Sequence, residues 1–162
     1  MAVITSSTIG ANLNSSDATA LFTLGTSINA TGGSYFQYCQ ATATFTTGAL
    51  VYISPAGTAI GATTALLASN TNGYDLGVVQ YPINQGENGW IARKGSSLYV
   101  KCTGTLSAGQ LVAMAAAAGR VQDIGGAGGG QTLQGVWVTT TISGGTQAAV
   151  CTLLWPKGQA NA

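Results

Sequence analysis

Short apolar stretches, with polar residues alternating inside them, follow one another along most of the chain. Each is rich in β-branched or aromatic residues and is bounded by Gly, Asn, Ser or Pro, which is the pattern of strands separated by turns. The predicted strands are Leu21–Leu24, Tyr35–Gln40, Ala49–Ser54, Leu76–Ile83, Trp90–Arg93, Leu98–Cys102, Leu111–Ala115, Val136–Ile142 and Ala148–Trp155. This spacing predicts an all-β fold, a single small barrel or sandwich of about eight to ten short strands.

Two parts of the chain depart from the strand pattern. Thr63–Ser69 has helical propensity but is short, so it is predicted to form a single helical turn. Met1–Ala20 is rich in Ser, Thr, Asn and Ala without a sustained period, and it is predicted to be an extended N-terminal arm. Residues 21–162 are accordingly predicted to form the one folded domain.

One stretch of sequence occurs twice in similar form. Thr44–Ile53 aligns without gaps to Thr105–Met114, and each copy has the pattern of a strand, a Gly turn and a second strand. A shorter correspondence follows both copies, between Leu76–Val79 and Gln134–Trp137. The same order of elements in both places predicts two related β-units that share one core.

The chain is poor in charge. Of its 162 residues 46% are hydrophobic and 6% are charged, and the formal net charge is +1. A nucleic-acid partner would require many clustered Lys and Arg side chains, so none is expected. Uncharged polar side chains avoid the cost of removing water from ions, which suits a surface that contacts other protein. We therefore expect the chain to self-associate.

The sequence also indicates whether the chain enters a membrane and whether its cysteines are oxidised. No apolar stretch reaches the roughly 20 residues needed to span a bilayer, and Met1–Thr5 does not open a signal peptide. We expect no membrane partner and synthesis in a cytoplasm. The cysteines Cys39, Cys102 and Cys151 are odd in number and lie far apart in strand-like stretches, so they are expected to be reduced and buried.

Candidate catalytic chemistry is sparse. The chain contains no His, which removes the usual general base and the commonest metal ligand. The acids Asp17, Asp75, Glu87 and Asp123 lie in separate segments beside turn-forming residues, and we assign them to turns and solubility. Neither the cysteines nor the carboxylates have the spacing of zinc or calcium sites. We expect no enzymatic activity, no cofactor and no metal.

Two groups of residues allow more than one interpretation. Arg93 and Lys94, with Lys101 on the next predicted strand, are either a solvated strand edge or a docking site for an acidic partner surface. The three tryptophans lie in alternating strand-like stretches and are predicted to be core anchors. The alternative for them is a sugar-binding platform, because polar residues surround one tryptophan in the sequence. That group is Asn84, Gln85, Asn88 and Trp90.

Several short, mostly glycine-containing motifs follow one another in order. They are Phe22–Thr26, Gly32 and Gly33, Tyr35–Tyr38, Gly48–Val51, Asn88–Gly95, and Gly135 and Val136. This order resembles a family of small structural proteins of tailed bacteriophages, the head-decoration or cement proteins. The resemblance covers roughly Leu21 to Pro156, and Gly-Trp followed by Arg-Lys-Gly is its most distinctive element.

The resemblance implies a β-barrel or tulip-like fold on the outside of a virion capsid, made in the host cytoplasm. Its implied partner is the major capsid protein, and its implied function is to stabilise the assembled shell. Family members gather as trimers or dimers, so a homotrimer is favoured and a dimer is the alternative. The N-terminal arm would reach the shell, and the strand edge around Arg93 would be a second contact. The candidate capsid contacts are Val3, Ile4, Ile9, Leu13, Arg93 and Lys94.

No catalytic residue is carried over from the resemblance, because the family is not enzymatic. The alternative function is that of a phage fibre, knob or glycan-binding receptor module. That alternative would place Trp and Tyr side chains exposed in a cleft and not in the core.

Overall fold

A computed structural model describes residues 11–68, 75–124 and 132–158. Within these ranges the chain forms eleven strands of one sheet system, and the all-β prediction is confirmed. The strands are β1 Ser16–Asp17, β2 Ser27–Asn29, β3 Tyr35–Ala41, β4 Leu50–Ile53, β5 Thr58–Gly61, β6 Leu76–Val79, β7 Asn88–Leu106, β8 Val112–Met114, β9 Val121–Asp123, β10 Leu133–Val138 and β11 Ile142–Gly158. The predicted helical turn is α1, Thr64–Ala68, and these ranges contain no helix that could span a bilayer.

The first half of the chain closes into a small barrel, barrel 1. β7 pairs with β6, β6 with β4, β4 with β5, β5 with β3, and β3 again with β7. The β3–β5 pair is parallel and the others are antiparallel. Alternate side chains of each strand point inward. The interior cluster is Cys39, Ala41, Phe45, Ala49, Val51, Ile53, Ala59, Val79, Ile83 and Ile91.

The second half repeats this arrangement as barrel 2. β11 pairs with β10 and with β7, and β9 pairs with β8 and, in parallel, with β7. A bridge between Ala113 and Thr132 joins β8 to the beginning of β10. Strand β7 therefore belongs to both barrels, with its first part in barrel 1 and its last part in barrel 2.

The two barrels correspond position by position. Gly48 and Gly109 have positive φ angles of 83° and 80°. The N–H of Ala49 donates to the oxygen of Thr46 at 3.1 Å, and that of Gln110 donates to Ser107 at 3.2 Å, which closes the same turn twice. The register matches as well, although the shorter sequence correspondence is displaced by one residue, because Val79 is equivalent to Val138 and not to Trp137. The equivalent interior pairs are Cys39/Val100, Ala41/Cys102, Phe45/Leu106, Val51/Val112, Ile53/Met114, Ala59/Val121, Val79/Val138 and Ile91/Cys151.

The prediction of two related β-units is thus confirmed, but the prediction of one shared core is wrong. The buried side chains form two clusters, one inside barrel 1 and a larger one that includes the interior of barrel 2. The larger cluster also takes in the outer face of barrel 1. The barrels are therefore packed against each other while each keeps its own interior.

Residues 11–26, which we call the strap, lie across the outside of barrel 1. Leu13 is 3% exposed and belongs to the larger core cluster. Ser16–Asp17 pairs with the beginning of β7, and the ring of Phe22 packs edge-on against Tyr38 and Trp90 at 5.3 and 5.2 Å between centroids. The prediction of an extended arm reaching Ala20 is therefore wrong from residue 11 onward, because this segment buries apolar side chains on its own barrel.

Several strand boundaries in the structure differ from those predicted from the sequence. The predicted strands Trp90–Arg93 and Leu98–Cys102 are parts of β7, which bends at Gly95 and Ser97, with φ angles of 147° and 57°, without ending. Leu21–Leu24 is not a strand. The predicted strand Val136–Ile142 is divided between the end of β10 and the start of β11. Strands β1, β2, β5 and β9 have no counterpart in the prediction.

Candidate functional site

The acids are all bound to neighbouring side chains. Asp17 accepts a hydrogen bond from the Tyr38 hydroxyl at 3.2 Å, and Asp123 accepts one from Gln110 at 2.6 Å. Asp75 forms an ion pair with Arg93 at 3.0 Å. In the described part of the chain no group of His, Cys, Asp and Glu side chains could hold a metal ion. The acids therefore hold the fold together where the structure describes them.

Glu87 joins the strap to the turn before β7. Its carboxylate accepts a hydrogen bond from the Ser16 hydroxyl at 2.6 Å and from the Asn84 side chain at 3.1 Å. These hydrogen bonds lower the pKa of Glu87, because they favour the charged carboxylate. The hydrogen bond from Ser16 has the largest effect. Asn88 is buried and donates to the backbone oxygen of Asp17 at 3.1 Å.

For Trp90 the predicted core position is confirmed, and the alternative of a sugar-binding platform around Asn84, Gln85, Asn88 and Trp90 is wrong. Trp90 is only 2% exposed and Asn88 is buried beneath the strap. The polar side chains there are occupied by the contacts that fix Glu87 and the strap, so no open aromatic surface lies at this place.

The three cysteines are free and buried, as predicted. Burial raises the pKa of the Cys39 and Cys151 thiols to about 12 and that of Cys102 to about 11. Removing these thiols from water disfavours the thiolate, so they act as small apolar side chains.

Arg93 is held inside a cluster that we call the aromatic corner, made by Tyr35, Arg93 and Trp155. The Arg93 side chain is 12% exposed. Besides its ion pair with Asp75, it donates to the Gln37 side chain at 2.9 Å, and its guanidinium carbon lies 5.3 Å from the centroid of the Trp155 ring. Arg93 therefore positions Trp155, and its charge is already paired within the chain.

Trp155 itself is exposed, although two side chains pack against its ring. Its ring packs on Tyr35 with centroids 4.5 Å apart, and the residue is 40% exposed. Its φ angle is 49°, a left-handed conformation that bulky side chains rarely adopt. Opposite it, a side chain on Gly135 would come within 2.3 Å of the Leu154 oxygen, so only Gly allows β10 to approach here. An outlier of this kind is typical of functional sites.

Lys94 borders the aromatic corner. In the sheet it lies opposite Tyr35 on one side and Leu154 on the other. Lys101 lies seven residues further along β7, beyond the bend at Gly95 and Ser97, and belongs to a different surface. That surface is a groove of about 280 Å³ between the barrels, lined by Lys101 and Arg120 among others. The charges that the sequence grouped together thus lie on different surfaces, on either side of the bend in β7.

The prediction that all three tryptophans are core anchors holds for Trp90 alone. Trp137 and Trp155 are each 40% exposed. In β10 its two neighbours Val136 and Val138 are buried, so Trp137 points the opposite way. An alternating pattern identifies two faces of a strand but not which face is covered.

A second exposed surface lies on barrel 2. Its members, which we call the open face, are Leu111, Ile124 and Trp137, which are 54%, 37% and 40% exposed. Their equivalents in barrel 1 are Leu50, Ala62 and Val78. The strand pairing shows the first two, because Val51 pairs with Gly61 as Val112 pairs with Asp123. It also shows the third, because Val78 pairs with Ala92 as Trp137 pairs with Thr152. All three equivalents are at most 1% exposed.

Barrel 2 covers this face of barrel 1. The N–H of Leu50 donates to the oxygen of Gly119 at 2.9 Å, and the N–H of Gly119 donates to Ala62 at 2.8 Å. A turn of barrel 2 thus binds the backbone of both strands of barrel 1 at the point where Ala62 donates to Leu50 at 3.2 Å. The aligned repeat already matched Leu50 with Leu111, but sequence alone does not show that one is covered and the other open.

The candidate capsid contacts predicted from the sequence do not all lie at the surface. Leu13 is part of the core and cannot reach a partner. Val3, Ile4 and Ile9 lie outside the described residues. Of the predicted capsid contacts within the described ranges, Lys94 and the aromatic corner that Arg93 supports are at the surface.

Comparison of the sequence with models of known protein families gives no match. Comparison with curated proteins gives no match either.

Proposed function

We propose that the chain is a structural protein of a bacteriophage virion, not an enzyme, which decorates and stabilises the capsid by binding the outside of the assembled shell. Its partner is the major capsid protein, it acts as a homo-oligomer, and it is made in the host cytoplasm. The observation that supports this proposal is the exposed Trp155 ring, which packs against Tyr35 and Arg93 on a chain with few charges.

The aromatic corner has the composition of a protein-binding hot spot. Trp, Tyr and Arg are the residues most enriched at such positions. Because Trp155 is already packed between two side chains, little conformational entropy is lost when a partner covers it. Lys94 beside it supplies a charge that steers approach to an acidic surface.

Weak binding by one copy is sufficient for a decoration protein. A subunit that binds only the assembled shell stabilises it by mass action, and linked copies bind with avidity. The low charge of the chain fits this role, since few ions must lose water at the contact.

Sedimentation with undecorated capsids tests the proposal. We expect the purified chain to sediment with capsids, and Trp155→Ala to bind about tenfold more weakly or worse. Tyr81→Ala is the matched control, because Tyr81 is an aromatic side chain of similar exposure outside the corner. Full occupancy by the Trp155→Ala variant would refute the assignment of the aromatic corner.

The predicted arm is tested in the same assay. Deletion of residues 2–10 removes Val3, Ile4 and Ile9 but leaves the strap in place. We expect this deletion to lower occupancy without unfolding the barrels. Full occupancy after the deletion would leave the aromatic corner as the only proposed contact with the shell.

A glycan-binding receptor module is the second candidate, and the exposure of Trp155 beside Tyr35 favours it. A sugar ring packs its apolar face on such rings, and here Gln37 and Asp75 lie close by as hydrogen-bonding groups. A glycan array distinguishes the candidates. Binding that is lost in Trp155→Ala, together with no sedimentation on capsids, would favour the receptor module.

A further inference from the structure

Two of the five cationic side chains of the chain lie side by side at the groove between the barrels. Cys102 of β7 pairs in parallel with Val121 of β9, and both are buried in the interior of barrel 2. Lys101 and Arg120 precede them, so these two side chains point outward from neighbouring strands whose backbones are about 5 Å apart. Like charges in directly opposite positions destabilise a sheet. This arrangement therefore costs stability unless a negative charge lies between the two cations.

Barrel 1 shows that the repeated fold does not need charges at these positions. In its equivalent parallel pair, that of β3 with β5, Gln40 lies opposite Thr58. Gln40 and Thr58 are thus the counterparts of Lys101 and Arg120, and neither carries a charge. The same pair of strands forms with neutral side chains in barrel 1, so the two adjacent cations are a feature of barrel 2 that folding does not require.

No carboxylate side chain of the chain supplies the missing negative charge. All four acids lie in the described ranges, and the residues outside those ranges carry no charged side chain. Asp75 forms its ion pair with Arg93. Asp17, Glu87 and Asp123 accept hydrogen bonds from residues that do not line the groove. The counter-ion of the two cations must therefore come from a ligand.

The groove presents hydrogen-bond donors that suit an oxyanion. The Lys101 ammonium group donates to the Thr46 hydroxyl, and the Arg120 guanidinium donates to the Thr146 hydroxyl at 3.1 Å. These hydrogen bonds hold both cations at the groove, and the five N–H groups of a guanidinium leave others for a ligand. A guanidinium binds two oxygens of one oxyanion, whereas an ammonium group acts as a point charge. Two adjacent positive charges match an anion that carries two negative charges.

We propose that the groove between the barrels binds a dianionic oxyanion of the phosphate class through Lys101 and Arg120. The inference goes beyond the proposed function, because the groove is separate from the aromatic corner and its ligand does not depend on a capsid. Phe45 and Ala49 of barrel 1 line the same groove. An anion held there lies at the junction of the two barrels, and it stabilises the folded chain because the unfolded chain lacks the site.

Thermal unfolding of the purified full chain in inorganic phosphate, compared with chloride at the same ionic strength, tests the inference. At a phosphate concentration ten times its dissociation constant, binding should raise Tm by about 3–6 °C. Phosphate also stabilises proteins in general, because it is excluded from their surface, so the difference between variants is the quantity to measure. Lys101→Gln introduces the residue of barrel 1. We expect it to weaken phosphate binding about tenfold or more, because a charged hydrogen bond is lost.

Lys157→Gln is the matched control, because it removes the same charge from an exposed residue outside the groove, and it should keep the wild-type response. In chloride, Lys101→Gln should be at least as stable as the wild type, because the repulsion between two cations is removed. A purely structural role of Lys101 would instead lower Tm equally in both salts. If Lys101→Gln fails to fold, Arg120→Thr, which also introduces the residue of barrel 1, provides the same measurement.

The outcomes are distinct from those of the capsid assay, since Trp155→Ala should keep the phosphate response. Equal responses of the wild type and Lys101→Gln up to about 50 mM phosphate, at which a site of millimolar affinity is nearly filled, would overturn the inference. Acetate carries a single charge and should have a smaller effect than phosphate. A response to acetate as large as that to phosphate would overturn the assignment of a dianion.

Discussion

Truncation of Leu13 to Ala should destabilise the fold strongly, although the residue lies only a few positions from the start of the described chain. The Leu13 side chain is buried in the larger core cluster, where it covers the outside of barrel 1. Leu→Ala changes at buried positions cost about 2–5 kcal/mol, depending on how far the surroundings collapse. Because the strap is a single layer that can relax toward the barrel, we expect about 2–3 kcal/mol.

This loss is large for a domain of this size. Domains of its length have stabilities of about 5–15 kcal/mol. A change of 2–3 kcal/mol corresponds to a decrease in Tm of roughly 4–12 °C. We expect the m-value to stay unchanged, because the same surface is exposed on unfolding.

Urea unfolding followed by tryptophan fluorescence measures the effect. Trp90 is a suitable probe because it packs against Phe22 of the strap. Leu21→Ala is the matched control, since Leu21 is in the same segment but exposed, and its change should stay within about 0.5 kcal/mol. All variants are compared at one protein concentration, because self-association contributes to apparent stability. Equal unfolding midpoints for the Leu13 and Leu21 variants would refute the interpretation of the strap as part of the folded domain.

Three further predictions concern single sites. Gly135→Ala should destabilise the fold at least twice as much as Gly145→Ala in thermal unfolding, because both glycines have a φ of 74° but only at Gly135 would the new methyl group meet a backbone oxygen, at 2.3 Å. The three thiols should resist alkylation at pH 8 in the native protein and react after denaturation, since burial raises their pKa values; rapid native labelling would contradict this. The pKa of Glu87 is lower in the folded than in the unfolded chain, so the stability that it contributes is present at neutral pH and lost as the pH falls below about 4.3. Glu87→Gln should therefore show a shallower acid dependence of the urea midpoint, and an unchanged slope would count against the hydrogen bond from Ser16.

The sequence predicted the fold class and the repeat because both depend on local patterns. The turn around Gly48 and that around Gly109 need a residue that tolerates positive φ, and this requirement is visible in both copies. The strand β7 was harder to predict, because Gly95 and the serines after it resemble a turn. In the structure the bend occurs within one strand that continues from barrel 1 into barrel 2.

The candidate site could be predicted only in part. Arg93 and Lys94 were identified from their charge, but the role of Arg93 depends on Trp155, which is far away in the sequence and meets it only through the pairing of β7 with β11. The burial of Leu13 was missed because one apolar residue in a polar segment produces no periodicity. Exposure of Trp137 and Leu111 depends on which barrel has a neighbour, and that is a property of the tertiary arrangement.

The position-by-position match of the two barrel interiors also shows that equivalent positions of a repeated unit can be filled by different residues. Barrel 1 combines the large Phe45 with Ala41 and Ala59, which pair directly across β3 and β5, whereas barrel 2 has the smaller Leu106 with the larger Cys102 and Val121. Because interiors are close-packed, a ring can be lost only if neighbouring side chains grow. We therefore expect an exchange of all three residues between the barrels to be tolerated better than any one of the exchanges made alone, since each alone would leave a cavity or a clash.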